Sequence, residues 1–235
     1  MSDVRERIAE NVSHVRERIA AAAERAGRRP DEVTLVAVSK YVGINEAQAL
    51  VAAGCRDLGE SRPQELWRKA DSLSADAIRW HLIGHLQRNK VARTLPLVSL
   101  LHSGDSLRLL EAIHAENAAQ GRVTPTLLEI NVSGDATKHG FRPDEVGPLG
   151  DALAALSGIE IRGLMAMAGL EGSSDDARRE FAQLRELRDR LQTAWGGRFK
   201  LTELSMGMSG DFEIAIEEGA TLVRVGSLLF EGVGE

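Results

Sequence analysis

Eight short runs of branched and aliphatic residues, separated by seven segments with helical spacing, constrain this chain more than any other feature. The first run, Val33-Thr-Leu-Val-Ala-Val-Ser39, is almost continuously apolar. Such runs suit parallel strands buried on both faces. Strands are predicted over 33–39, 56–59, 78–83, 97–102, 125–132, 159–165, 201–206 and 221–225. Helices are predicted between them over 44–53, 63–72, 87–94, 106–120, 144–156, 174–194 and 212–217. Ahead of the first strand, Val4, Ile8, Val12, Val15 and Ile19 recur at spacings of three and four and build one apolar stripe, which Gly27 and Pro30 end. Asn45 with Gln48 reads as a capped helix start, Gly54 as a helix stop, and Pro63 as a first-turn residue. Strands alternating with helices predict a parallel sheet, and eight is the number that closes a (β/α)₈ TIM barrel. A doubly wound open sheet is the competing arrangement. The chain is read as one barrel domain over 1–235, with an extra N-terminal helix over 1–27.

The bulk properties narrow the functional classes. A net charge of −6 argues against a nucleic-acid-binding footprint, although one local pocket can still hold a small anion. The single cysteine, Cys55, cannot form an intramolecular disulfide, and no Cys/His cluster suggests structural zinc. His81 and His85 stand four apart, but in a strand that spacing spans about 13 Å, so no metal site is expected from them. The N-terminus (Asp3, Arg5, Glu6, Arg7) lacks the apolar core of a secretion signal, and no apolar run approaches the roughly 20 residues of a membrane span. A cytoplasmic monomer with no membrane partner is the expectation. Arginine outnumbers lysine 24 to 5, which makes each lysine worth inspecting; Lys40, Lys90 and Lys138 fall at or near the ends of local motifs.

In such barrels the chemistry sits at the C-terminal ends of the strands. Those ends read Ser39-Lys40, Gly59-Glu60-Ser61, Ile83-Gly84-His85, His102-Ser103, Asn131-Val132-Ser133, Met165-Ala166-Met167, Ser205 to Ser209, and Arg224 to Ser227. They are polar, small and rich in glycine, whereas the strand interiors read as apolar. Lys40 directly follows an apolar strand. It either snorkels to solvent or aims its amine, a nucleophile toward aldehydes, into the barrel mouth. The segments 205–209 and 226–227 follow the last two strands, where barrels often bind phosphate: glycine lets backbone N–H groups approach the anion and hydroxyls add donors. Ser209 has a second reading as a helix cap. Arg224 is either a buried arginine paired with a carboxylate or a ligand contact. His102 reads as a satisfied barrel-mouth residue, and Glu60 as a group that orients a neighbour such as an arginine.

Four segments together resemble the pyridoxal phosphate homeostasis proteins. They are Ala37-Val-Ser-Lys40, Trp80-His-Leu-Ile-Gly-His-Leu-Gln-Arg-Asn-Lys90, Asn131-Val-Ser-Gly-Asp-Ala-Thr-Lys-His-Gly140, and 204–230 with its Ser205-Met-Gly-Met-Ser209 and Arg224-Val-Gly-Ser227. The resemblance implies a fold like the N-terminal barrel of alanine racemase, with pyridoxal 5′-phosphate (PLP) held covalently on Lys40. It implies Arg224 at the pyridine nitrogen, and Ser205, Met206, Gly207, Gly226 and Ser227 around the phosphate and ring. A guanidinium there would oppose protonation of the ring nitrogen and leave a poorer electron sink than aspartate would. The sequence departs from the family pattern at Ser61, where an asparagine near the cofactor is usual, and at His85, where proline is frequent.

The resemblance implies a non-catalytic carrier that buffers PLP and delivers it, with apo PLP-dependent enzymes as acceptors. The alternative is a racemase or decarboxylase of the same barrel type. Such enzymes carry a second, β-rich domain after the barrel, whereas this chain ends at Glu235, just past the eighth strand. Lys138, in a loop flanked by Gly134 and Gly140, reads either as a solvated loop lysine or as a group that assists release of PLP or holds it at a secondary site.

Overall fold

The computed structural model describes residues 2–73, 78–135, 139–169 and 172–233. α1 (Ser2–Arg25) precedes β1 (Thr34–Val38). Strands and helices then alternate: α2 (Ile44–Ala52), β2 (Asp57–Glu60), α3 (Pro63–Ser72), β3 (Arg79–Leu82), α4 (Val91–Thr94), β4 (Val98–Gly104), α5 (Leu107–Gln120) and β5 (Thr124–Glu129). The second half adds α6 (Gly150–Ala154), β6 (Ile159–Met165), α7 (Ser174–Ala194), β7 (Glu203–Ser205), α8 (Phe212–Glu217) and β8 (Leu222–Val225). The strands form a closed parallel barrel in chain order, and β1 meets β8 with Thr34 opposite Leu222 and Ala37 opposite Val225. The TIM barrel expectation holds, and the open sheet is excluded.

Successive side chains of a strand point to opposite faces. Ala37, Leu58, Leu82, Leu101, Leu128, Leu164, Leu204 and Val223 pack outward with the helices in one large core. Val36, Leu100, Leu127, Met165 and Leu222 form a separate cluster inside the ring. The interior is not uniformly apolar as expected, since Asp57, His81, His102, Ser205 and Arg224 are buried there as well. A run buried on both faces hides scattered polar residues among its aliphatic neighbours, so the sequence pattern does not single these out.

β8 is followed by a single 3-10 turn, Ser227–Phe230. The outer ring is completed across the β8–β1 seam by α1, which packs on α2 and α8. Ile8, Val12, Val15 and Ile19 are buried there, each stabilising by about 1.5–3 kcal/mol. Asn11 Nδ2 donates to the carbonyl of Glu231 at 2.9 Å, and Arg28 Nη1 donates to those of Ile216 and Ala220 at 3.0 and 2.8 Å. These bonds tie the middle of α1 and the turn after it to the last elements of the chain.

Several local expectations need correction. The residue before α2 is Gly43, and Asn45 does not cap that helix. The helix expected over 144–156 shrinks to Gly150–Ala154 behind a 3-10 turn at Gly147–Leu149, because Pro148 and two glycines interrupt regular hydrogen bonding. The helix expected over 87–94 is a 3-10 turn, Arg88–Lys90, followed by the short α4. No described helix is long and apolar enough to cross a membrane.

Candidate functional site

A cavity of about 520 Å³ opens at the C-terminal end of the barrel. Its walls come from β1 and the turn after it (Val38, Lys40, Tyr41, Val42), from Ser61, Ile83 and Gly84, and from Met167. Met208, Ser209 and Gly210 close one side, and Arg224, Gly226, Ser227 and Phe230 close the other. Gly84 is required by space: a Cβ there would lie 2.3 Å from the Ser61 carbonyl oxygen.

Lys40 is exposed, with Nζ 4.8 Å from the centre of the Tyr41 ring. Its backbone sits on a buried anchor. Ser39 N–H donates to the Gly59 carbonyl at 3.0 Å, and Ser39 Oγ donates to Glu60 Oε1 at 2.7 Å. Lys69, on α3 and fully buried, donates to Glu60 Oε1 at 2.5 Å and to the Ser39 carbonyl at 2.6 Å. Glu60 thus orients a neighbour as expected, but the neighbour is a lysine. Lys69 gave no signal in the sequence because it lies in the last turn of α3 with no motif around it.

Arg224 forms part of the cavity wall and is 4% exposed. Its hydrogen bonds run to Ser205 Oγ at 2.6 Å and to the Ala166 carbonyl at 2.9 Å, not to a carboxylate. Burial pulls its guanidinium down to about 10 against the upward pull of Asp211 and Glu129, so it stays charged at neutral pH.

Behind Arg224 a chain of buried hydrogen bonds crosses the barrel. Ser205 Oγ meets His102 Nδ1 at 2.8 Å, His102 Nε2 meets His81 Nδ1 at 2.8 Å, and His81 Nε2 meets Asp57 Oδ1 at 3.0 Å. Arg79 closes the far end with two hydrogen bonds to Asp57 at 2.6 and 2.7 Å. Donor directions follow from the ends. A guanidinium only donates, so Ser205 accepts from Arg224 and gives its own proton to His102 Nδ1. His102 then carries its proton on Nε2 and His81 carries its proton on Nε2, directed at Asp57. The neutral form of His102 agrees with its environment: burial, then His81 and Arg224, lower its pKa well below the ordinary value. Burial acts to raise Asp57, but its bonds to His81 and Arg79 hold it at about 2. At the end of β5, burial, joined by Asp105, pushes Glu129 up to about 7.

The structure therefore brings Lys40, Ser61, Arg224, Gly226 and Ser227 to one cavity. Ser205, Met206 and Gly207 stand behind its wall, all three buried. Gly207 turns the chain at φ +91°, and a Cβ there would lie 2.6 Å from Ala215 Cβ. Ser209 does not cap α8, where Asp211 occupies the N-cap position; its hydroxyl instead accepts from Gly226 N–H at 3.2 Å. His81 and His85 go to separate networks, and His85 pairs with Asp105. Lys138 lies outside the described residues.

The residues fit a phosphorylated aldehyde. An amine and a fixed cation line the same cavity, together with a backbone N–H held by an exchangeable serine hydroxyl, in a volume suited to a small ligand.

A family model described as the N-terminal domain of alanine racemase matches residues 10–232. The chain is 40% identical over 221 residues to a pyridoxal phosphate homeostasis protein of Aquifex aeolicus, covering 94% of this chain and 96% of that one. A protein of the same description from Pseudomonas aeruginosa is 39% identical over 223 residues, covering 95% and 94%. The solved structure of PipY from Synechococcus elongatus, with PLP bound, matches with a TM-score of 0.84 at 34% identity, covering 95% of this chain and 99% of that one. With this likeness extending along nearly the whole length of both partners, the chain belongs to the family of pyridoxal phosphate homeostasis proteins.

Proposed function

We propose that this protein binds PLP in the cavity at the C-terminal end of the barrel, holds it as a Schiff base on Lys40, and serves vitamin B6 homeostasis as a carrier rather than as an enzyme. The observation that carries this reading is the meeting of Lys40, Arg224, Gly226 and Ser227 on one cavity. PLP supplies an electrophilic aldehyde and an anionic phosphate when bound.

The chain's own residues account for the rest. Lys40 gives its amine to the linkage and releases one water; a second amine reverses the linkage with no net oxidation. Gly226 N–H and the hydroxyls of Ser209 and Ser227 receive the phosphate, the Ser209–Gly226 bond opening to do so. Arg224, held by Ser205, meets the ring nitrogen and keeps it unprotonated. Met206 and Gly207 act from behind by fixing the turn that carries Met208 and Ser209. Ser61 reaches the cofactor less far than the asparagine usual in the family. We further infer a monomer acting in the cytoplasm, with apo PLP-dependent enzymes as acceptors.

Borohydride reduction of the loaded protein followed by peptide mapping tests the assignment. A pyridoxyl group on Lys40 is expected; label on another lysine with Lys40 unmodified would overturn it. Turnover on adding amino acids would favour the racemase-like or decarboxylase-like alternative.

A further inference from the structure

His85, Asp105 and His139 leave β3, β4 and the loop after β5, three successive exits on the rim beside the cavity, and nothing in the proposed PLP chemistry uses them. One ligand atom from each, a ring nitrogen of either histidine and a carboxylate oxygen of Asp105, lies within 4.8 Å of the other two. His85 Nδ1 is 2.6 Å from Asp105 Oδ2, and the rings of His85 and His139 stack with centres 4.5 Å apart. We propose that these three side chains form a divalent transition-metal site, with zinc as the ion that suits it.

The donor set fits that ion. Two imidazoles and one carboxylate, with a fourth position left to water, match zinc coordinated by nitrogen and oxygen. The carboxylate is fixed rather than loose. Asp105 is 8% exposed, and Ser106 Oγ donates to its Oδ1 at 3.0 Å, which leaves Oδ2 toward His85. Such outer bonds orient a ligand for its metal. Glu129, 5% exposed at the end of β5, adds a second carboxylate to the same corner.

His139 is also held by its surroundings. Phe141 N–H donates to the Glu129 carbonyl at 2.8 Å, and Asn131 N–H donates to the Phe141 carbonyl at 2.9 Å, so the return of the loop is pinned to β5. Gly140 between them adopts φ +107°, and a Cβ there would lie 2.8 Å from the Glu129 carbonyl oxygen. A groove of about 300 Å³ lined by His85, Arg88, Ser106 and Arg108 opens His85 to solvent.

Ligands of a tetrahedral zinc with bonds of about 2.0–2.1 Å sit ~3.3 Å apart. The His85–Asp105 contact must therefore widen slightly and His139 must close in. Both are side-chain rotations, and both histidines are exposed. The ion would fasten the loop after β5 to the ends of β3 and β4.

The test uses tag-free protein carrying its PLP, dialysed against chelator and then titrated with Zn²⁺ by calorimetry and with Co²⁺ by visible absorption. One equivalent should bind, with the Co²⁺ spectrum of a four-coordinate site and a rise in Tm that chelator reverses. His85→Ala and His139→Ala should each lose at least ~100-fold in affinity, beyond the cost of losing an outer-shell partner. Asp105→Asn should weaken binding as well, and His14→Ala, on the outer face of α1, should leave it unchanged. Absence of binding at one equivalent, or affinity equal to the parent's in both rim histidine variants, would overturn the site. PLP absorbance in the same samples keeps this outcome separate from failure of the carrier reading.

Discussion

At the residue scale, Arg224 depends on a serine. Ser205 is the only side chain that both accepts from Arg224 and donates to His102 among the described residues. Ser205→Ala strips a partner from two buried polar groups and should destabilise the fold by about 1–3 kcal/mol in urea unfolding. It should also weaken PLP binding, because the guanidinium loses one of its two anchors, while Ser205→Thr restores both properties in part. Arg224→Ala should weaken PLP binding or shift the absorption of the bound cofactor with the barrel intact by circular dichroism. Affinity and spectrum equal to the parent's would make Arg224 a purely structural group.

At the element scale, the corner that carries Lys40 is fixed from α3 and β2. The Lys69–Glu60 pair is fully buried, and Lys69 also holds the Ser39 carbonyl. Removing one partner strands the other, so Lys69→Met should cost about 3–5 kcal/mol. Adding Glu60→Leu should recover much of that cost, since a buried pair is often replaceable by apolar groups. Denaturant midpoints of the two single variants and the double variant measure this coupling; costs that simply add would refute it. On the opposite flank, Ile8→Ala should cost about 2–5 kcal/mol, because α1 covers the β8–β1 seam and Ile8 is fully buried.

At the scale of the whole molecule, the buried polar chain makes stability depend on pH. The His102 pKa is depressed from 6.5 in the folded state. The unfolded chain therefore takes the proton first, and the stability His102 contributes above pH ~6.5 is lost as pH falls below it. Asp57 has the same sign lower down: held at about 2 rather than 3.8, it contributes stability on the order of 2 kcal/mol that is lost between roughly pH 4 and pH 2. Glu129 opposes them, since its raised value of about 7 favours the folded state as pH falls from 7 toward 4.5. Comparing the parent with His102→Gln cancels the Glu129 contribution. The variant, whatever its absolute stability, should lose less between pH 7 and pH 5 in urea titrations; parallel curves would sink the assignment to His102.

The sequence by itself determined the eightfold alternation of strands and helices and the positions of Lys40, Arg224 and Gly226-Ser227 at strand ends. All of these rest on local signals: near-continuous apolar runs between segments of 3.6-residue period, a lysine just past an apolar run, glycine and serine just past another. It missed the ends of short elements such as α6, where proline and glycine cut a helical pattern. Only the tertiary structure decided which side chains meet. His81, His102 and Ser205 lie on three different strands, the last two 103 positions apart in sequence. Their contact depends on every strand pairing around the closed ring, a sum of registers that no local stretch encodes. The same holds for Lys69 beneath Lys40, for α1 sealing the barrel with the last turn of the chain, and for His85, Asp105 and His139 converging on one rim. Spacing in sequence reports what is near along a strand or helix, whereas barrel closure sets what is near across it.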